Sequence, residues 1–84
     1  MPREQSIQRF GEKLRALRTH RGLTLKELAG ELGFVAHGYI SELEAGKKKP
    51  TVELVLRVAD MFGVTTDQLL RDEMNIEIEN EGKS

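Results

Sequence analysis

The chain has 84 residues, 38% hydrophobic and 32% charged, with no cysteine, two histidines and a formal net charge of −1. This is enough for one domain around a single core. It excludes a disulfide framework and a thiolate metal site, and with only His20 and His37 for imidazole it argues against structural zinc. No apolar run approaches the ~20 residues of a membrane span and no signal peptide is visible, so the cytoplasm is the default compartment. The near-neutral total hides an asymmetry: residues 1–50 carry ten Lys/Arg against six Asp/Glu, and residues 51–84 three against eight. A polyanion needs only a locally positive face, and the basic first half can supply one.

Residues 1–5 are polar and read as a flexible N-terminus. Ser6 can cap a first helix in which Ile7, Phe10, Leu14 and Leu17 step by three, four and three, forming one apolar stripe. Gly11 lies inside it at a propensity cost of ~1 kcal/mol, and Gly22 ends it. Thr24-x-x-Glu27 is a capping box, the threonine oxygen accepting an orphan N–H while the glutamate reaches back to the cap's own N–H. Leu25, Leu28, Ala29 and Leu32 then recur at helical spacing, and Gly33 stops this second helix. A short third helix has Ile40 and Leu43 on its buried side and ends at Gly46. Three consecutive lysines, Lys47 to Lys49, follow.

Pro50-Thr51 opens a fourth helix, with Thr51 as N-cap, Val52, Val55, Leu56, Ala59 and Phe62 facing inward, and Gly63 after its end. Thr65-x-x-Gln68 is a further capping box, opening a fifth helix that buries Leu69 and Leu70. Residues 6–71 therefore predict an all-α domain of five helices. Residues 72–84 form an acidic tail in which Met74, Ile76 and Ile78 alternate with Asn75, Glu77 and Glu79, the period of a half-buried strand. Such a strand has no partner within a helical chain. Either the tail is disordered, or it pairs antiparallel with the same segment of a second chain and builds a dimer.

Two short helices joined tightly, followed by a glycine-ended lysine loop, have the layout of a helix-turn-helix unit, which lays its second helix in the DNA major groove. The string L-x-x-L-A-x-x-x-G…Y-I-S-x-L-E-x-G-K-x-x-P, from Leu25 to Pro50, resembles the Cro/repressor-type, or Xre-like, helix-turn-helix regulators. The resemblance runs back through Leu14, Leu17, Arg18, Arg21 and Gly22, and forward through Thr51, Gly63-Val64-Thr65 and Leu69-Leu70. It implies a five-helix lambda-repressor-like DNA-binding domain, with double-stranded DNA as partner and a dimer acting on a short palindromic operator. No cofactor, small-molecule ligand or membrane partner is implied.

The same resemblance assigns roles. Arg18 and Glu44 stand where the family carries an ion pair tying the first helix to the third; the alternative is two solvated charges. Lys26 stands where the family usually has glutamine; lysine keeps a phosphate contact but cannot accept a hydrogen bond. Thr24 is either a second phosphate contact or a plain cap. Five residues, Phe34 to Gly38, separate Leu32-Gly33 from Tyr39-Ile40-Ser41 where the usual turn has four. Aligned from the Tyr39 side, Ala36, His37 and Gly38 take the base-reading positions at the start of the recognition helix, with Ser41 and Glu42 further along it. His37 can donate to guanine and Glu42 can accept from cytosine, or both simply face solvent. The Tyr39 hydroxyl and Lys47, Lys48 and Lys49 are the remaining phosphate candidates.

Catalysis is disfavoured: there is no P-loop or Rossmann glycine loop, no cysteine nucleophile and no metal-ligand spacing. The sparse base-reading set keeps a second class open, an antitoxin or protein-interaction module on the same fold.

Overall fold

The computed structural model describes residues 8–33 and 35–76, among which lie five helices and no strand. They are α1 (Phe10–His20), α2 (Leu25–Leu32), α3 (His37–Glu44), α4 (Val52–Phe62) and α5 (Thr66–Leu70). The expectations for residues 1–7, including Ser6 and Ile7, and for Phe34, Glu77, Ile78 and Glu79 fall outside the described residues. No described helix is long and apolar enough to cross a membrane.

Helix starts follow from local chemistry. Thr24 Oγ1 accepts the Glu27 N–H at 3.0 Å while Glu27 Oε1 accepts the Thr24 N–H at 2.8 Å. Thr65 and Gln68 repeat the reciprocal arrangement at 2.9 Å in both directions. Thr51 caps α4 by accepting from the Leu54 N–H at 3.1 Å.

α1, as described, relies on a more distant partner. It starts at Phe10 with Arg9 as N-cap residue and no side-chain cap of its own. The acceptor comes from the far end of the domain, where the Asp72 carboxylate takes the Gln8 N–H at 3.1 Å and the Arg9 N–H at 2.8 Å. A carboxylate there satisfies orphan donors and complements the positive end of the helix dipole. The Arg9 guanidinium returns the contact, donating to the Asp72 carbonyl at 2.8 Å and to Asn75 Oδ1 at 3.2 Å.

One core joins all five helices: Phe10, Leu14 and Leu17 of α1, Leu28 and Leu32 of α2, Ile40 and Leu43 of α3, Leu54, Val55 and Val58 of α4, and Leu69 of α5. The inward face of α4 is rotated from the expected one. Leu54 and Val58 are buried completely, whereas Val52 and Leu56 are exposed. The run Leu54-Val55-Leu56 supports two helical phases that share Val55 and Ala59, and contact with α2 and α5 selects the one through Leu54. Leu70 is only half-buried.

A lysine also belongs to the core. Lys13 is 1% exposed, and its Nζ donates to the carbonyls of Gln68 and Arg71 at 2.6 Å each and of Met74 at 2.7 Å. Burial pushes its pKa down, with the like charge of Arg9 acting the same way and Asp72, Glu12 and Glu73 acting against them. The ammonium uses all three of its donors on α5 and the chain that follows it. The segment that begins the expected inter-chain strand lies beside this lysine. Residues 74–76 take no strand conformation; Met74 is held by its carbonyl to Lys13, and Ile76 packs against the core of its own chain.

Candidate nucleic-acid interface

α2 and α3 lie against each other, and α3 also rests on α1. Ile40 and Leu43 fix which side of α3 faces the core. Its other side is left to solvent, and Ala36, His37, Gly38, Ser41 and Glu42 are all exposed there. Residues 37, 38, 41 and 42 recur at helical spacing and so share one face. Ala36 is the N-cap residue and offers no side-chain hydrogen bond, so amides at the start of α3 remain available to an anion. The five base-reading candidates are therefore brought together, but only His37, Ser41 and Glu42 bring polar side chains.

The end of α3 positions the lysines. Lys47 N–H reaches back to the Glu42 carbonyl at 2.9 Å and Gly46 N–H to the Leu43 carbonyl at 3.1 Å, the paired bonds of a Schellman motif. That motif needs a left-handed residue, and Gly46 supplies it with φ of 79°. The chain turns sharply and sends out Lys47, Lys48 and Lys49, all exposed. The Tyr39 hydroxyl donates to the Lys49 carbonyl at 3.3 Å, so it steadies the loop and must give up that long bond to donate to phosphate. Lys48 Nζ lies 3.9 Å from Glu42 Oε1. A base-reading candidate and a phosphate candidate thus partly neutralise one another.

Beneath this face sits the Arg18–Glu44 pair. Arg18 donates from Nε to Glu44 Oε2 at 2.7 Å, from Nη2 to Oε1 at 3.0 Å, and from Nη1 to the Leu23 carbonyl at 2.8 Å. Their side chains are 13% and 8% exposed, and the hydrogen bond to Glu44 raises the Arg18 pKa above its ordinary value. The fork joins the end of α1, the chain entering α2 and the end of α3. At the start of α2, Thr24 Oγ1 is engaged as a cap acceptor, which leaves its O–H free to donate outward, and Lys26 is exposed.

Two neighbours of the lysines belong to this region although sequence patterning gives them no functional role. Gln8 and Gly11, together with Phe10, Leu43 and Gly46, line a cleft of about 430 Å³ that Lys48, Lys49 and Pro50 also border. Gly11 is required for this closeness: a Cβ there would collide with the Leu43 carbonyl oxygen and lie 2.9 Å from that of Glu44. A glycine inside an apolar helical stripe is the visible sign, and what it permits is contact between α1 and the end of the recognition helix.

A helix-turn-helix family profile matches residues 14–69. The HTH-type transcriptional regulator DdrOP3 of Deinococcus deserti is 41% identical over 59 residues, covering 70% of this chain and 45% of that protein. The HTH-type transcriptional activator BcrR of Enterococcus faecalis is 41% identical over 76 residues, covering 89% and 37% respectively. The chain thus spans less than half the length of both relatives. The crystal structure of the clp gene regulator ClgR from Corynebacterium glutamicum aligns with a TM-score of 0.65 and 40% identity, over 75% of this chain and 66% of that one. With a match that runs from α1 into α5, and with regulators that share both sequence and fold, the chain belongs to the Cro/repressor-type helix-turn-helix family of DNA-binding transcriptional regulators.

Proposed function

We propose that this chain is a sequence-specific binder of double-stranded DNA that regulates transcription in the cytoplasm as a dimer on a short palindromic operator. The observation that carries this reading is the exposed side of α3, which has no duty to the core and ends in a turn that delivers three exposed lysines. In this arrangement the lysines, with Lys26, Thr24 and Tyr39, give affinity through phosphates, and His37, Ser41 and Glu42 read base edges. A single short helix reads only a half-site, so two copies related by a two-fold fit half-sites about one helical turn apart.

Selection of bound sequences from a random duplex pool tests the reading. The expected product is a palindrome. His37→Ala and Glu42→Ala should each relax preference at one or two positions, by about 1–3 kcal/mol where the contact is bidentate. Equal loss on all sequences would assign both residues to backbone positioning. The second reading, an antitoxin or interaction module, is favoured by one observation: Ala36 and Gly38 bring no polar side chain to the base-reading positions. It predicts no enrichment over the starting pool and retention of a protein partner by the same face.

A further inference from the structure

The turn that leads into α3 is the part of the interface that local chemistry explains least. It carries one residue more than the family's usual turn, and a longer connection has more ways to arrange itself. At its near end α2 stops without a cation of its own: its last turn holds no basic residue, and Glu31 adds a carboxylate where the helix dipole favours positive charge. Gly33 then turns the chain with φ of 88°, so carbonyls at the end of α2 need partners from elsewhere.

Arg57 of α4 supplies one. Its Nη1 donates to the Leu32 carbonyl at 2.9 Å, and its Nη2 lies 3.7 Å from Glu53 Oε2, one turn earlier on α4. Among the described residues no backbone N–H takes that carbonyl. The guanidinium thus provides both the missing donor and the missing cation. α4 is itself seated by Leu54 and Val58, which are completely buried, so the anchor is fixed to the core. Further along the turn Val35 packs against the same core. Ala36 then opens α3, its carbonyl accepting from the Tyr39 and Ile40 N–H groups at 3.0 and 3.3 Å.

Resting on the base-reading role proposed for the start of α3, we infer that Arg57 is a positioning residue for sequence recognition. It holds the end of α2, and with it the point from which Ala36, His37 and Gly38 are presented to a duplex. The far end of α3 is held separately, by the Arg18 fork on Glu44 and by the close approach at Gly11. A helix held at its far end and released at its near one pivots, and the displacement is greatest at residues 36–38. Hydrogen bonds to base edges tolerate little of this, because they demand distance and direction together. Phosphate contacts from flexible lysine stems tolerate more. Specific affinity therefore depends on Arg57, and nonspecific affinity does not.

Arg57→Met keeps the stem and removes the donors; the side chain is 52% exposed, and circular dichroism melts check that the fold persists. On a duplex selected by the unaltered chain, affinity should fall on the order of tenfold, the size of one good base contact. Affinity for random duplex and the salt slope should stay as they were. A chain that is merely less stable loses folded protein for both duplexes alike, so the ratio separates positioning from stability. Arg57→Lys retains a cation and a donor, and should recover part of the ratio. Without DNA, hydrogen exchange of the amides from Val35 to Ile40 should quicken in Arg57→Met, with those of α5 unchanged. Equal loss on both duplexes, a lysine variant no better than methionine, or unchanged exchange in the turn would overturn the proposal. So would a flatter salt slope, which would make Arg57 a phosphate contact. If the unaltered chain prefers no sequence, the base-reading role fails instead, and hydrogen exchange still judges whether Arg57 anchors the turn.

Discussion

Lys13 and Gly38 show how a single residue can be read in opposite directions. Lys13 lies three after Phe10 and four before Leu17, so it occupies the apolar stripe of α1, and that spacing is visible in the sequence. The destination of its ammonium is not, since the three carbonyls lie more than fifty residues away. Lys13→Met keeps the stem and removes the donors, taking a partner from the part-buried carbonyls of Gln68 and Met74, while the Arg71 carbonyl keeps the Met74 N–H. It should cost about 2–3 kcal/mol, measurable by urea unfolding, and lower the melting temperature by roughly 10 °C or more. Gly38 is the reverse case. Unlike Gly11, a Cβ at position 38 would meet nothing within 4 Å, so nothing in the described fold asks for glycine there. Gly38→Ala should therefore stabilise the free chain by up to about 1 kcal/mol. If α3 lies against duplex at this point, the same change weakens DNA binding. Thermal melts and titration of a selected duplex separate the two effects, and greater stability with unaltered affinity would remove Gly38 from the DNA-facing surface.

At the scale of elements, α3 is the one least able to stand alone. Eight residues with two glycine-ended turns nearby cannot hold a helix in water by propensity. Ile40 and Leu43 anchor it from one side, and the Arg18 fork anchors its end through Glu44. Arg18→Met and Glu44→Met should each destabilise by about 3 kcal/mol, because each leaves a largely desolvated charge without its counterion. The double variant should cost much less than the sum. A double-mutant cycle in urea reads the difference, and simple additivity would show that the two charges do not support one another. α4 teaches a different point. Its apolar run is longer than one face needs, so periodicity alone permits two orientations. The one that puts Val52 and Leu56 outside leaves the domain with a patch that the other would have hidden.

Across the whole molecule, charge is arranged and not merely summed. The acidic second half is drawn back onto the basic first half through Asp72, Arg9 and Lys13, and three exposed lysines sit in the loop after α3. Lys47→Ala, Lys48→Ala and Lys49→Ala combined should weaken binding about equally on selected and random duplex. The triple change should also flatten the dependence of log affinity on log salt by up to ~0.9 for each phosphate that is no longer neutralised. An unchanged slope would mean that the loop is only solvated. Lys48 should contribute least of the three, since Glu42 lies 3.9 Å from its ammonium and must be displaced or compensated on DNA.

Local chemistry makes much of this chain legible from its sequence. The capping boxes at Thr24 and Thr65, the cap at Thr51 and the helix-ending glycines depend on neighbours within three or four residues, and the ordered string from Leu25 to Pro50 identifies the family. The exposed side of α3 follows as well, because burying Ile40 and Leu43 leaves only one other side. Whatever depends on distant partners was decided by tertiary structure. Asp72 caps α1 from across the domain, Lys13 gathers carbonyls from α5 and the chain after it, and Gly11 lets α1 touch the end of α3. The phase of α4 belongs with them, since two stripes in one sequence become one core only when α2 and α5 are present to choose. Met74 to Ile76 has the alternation of a strand, but alternation records only which side chains are apolar. Where Met74 sits within its own chain depends on the Lys13 ammonium, whose need for carbonyl oxygens no local pattern reveals, because an unpaired buried cation is costly.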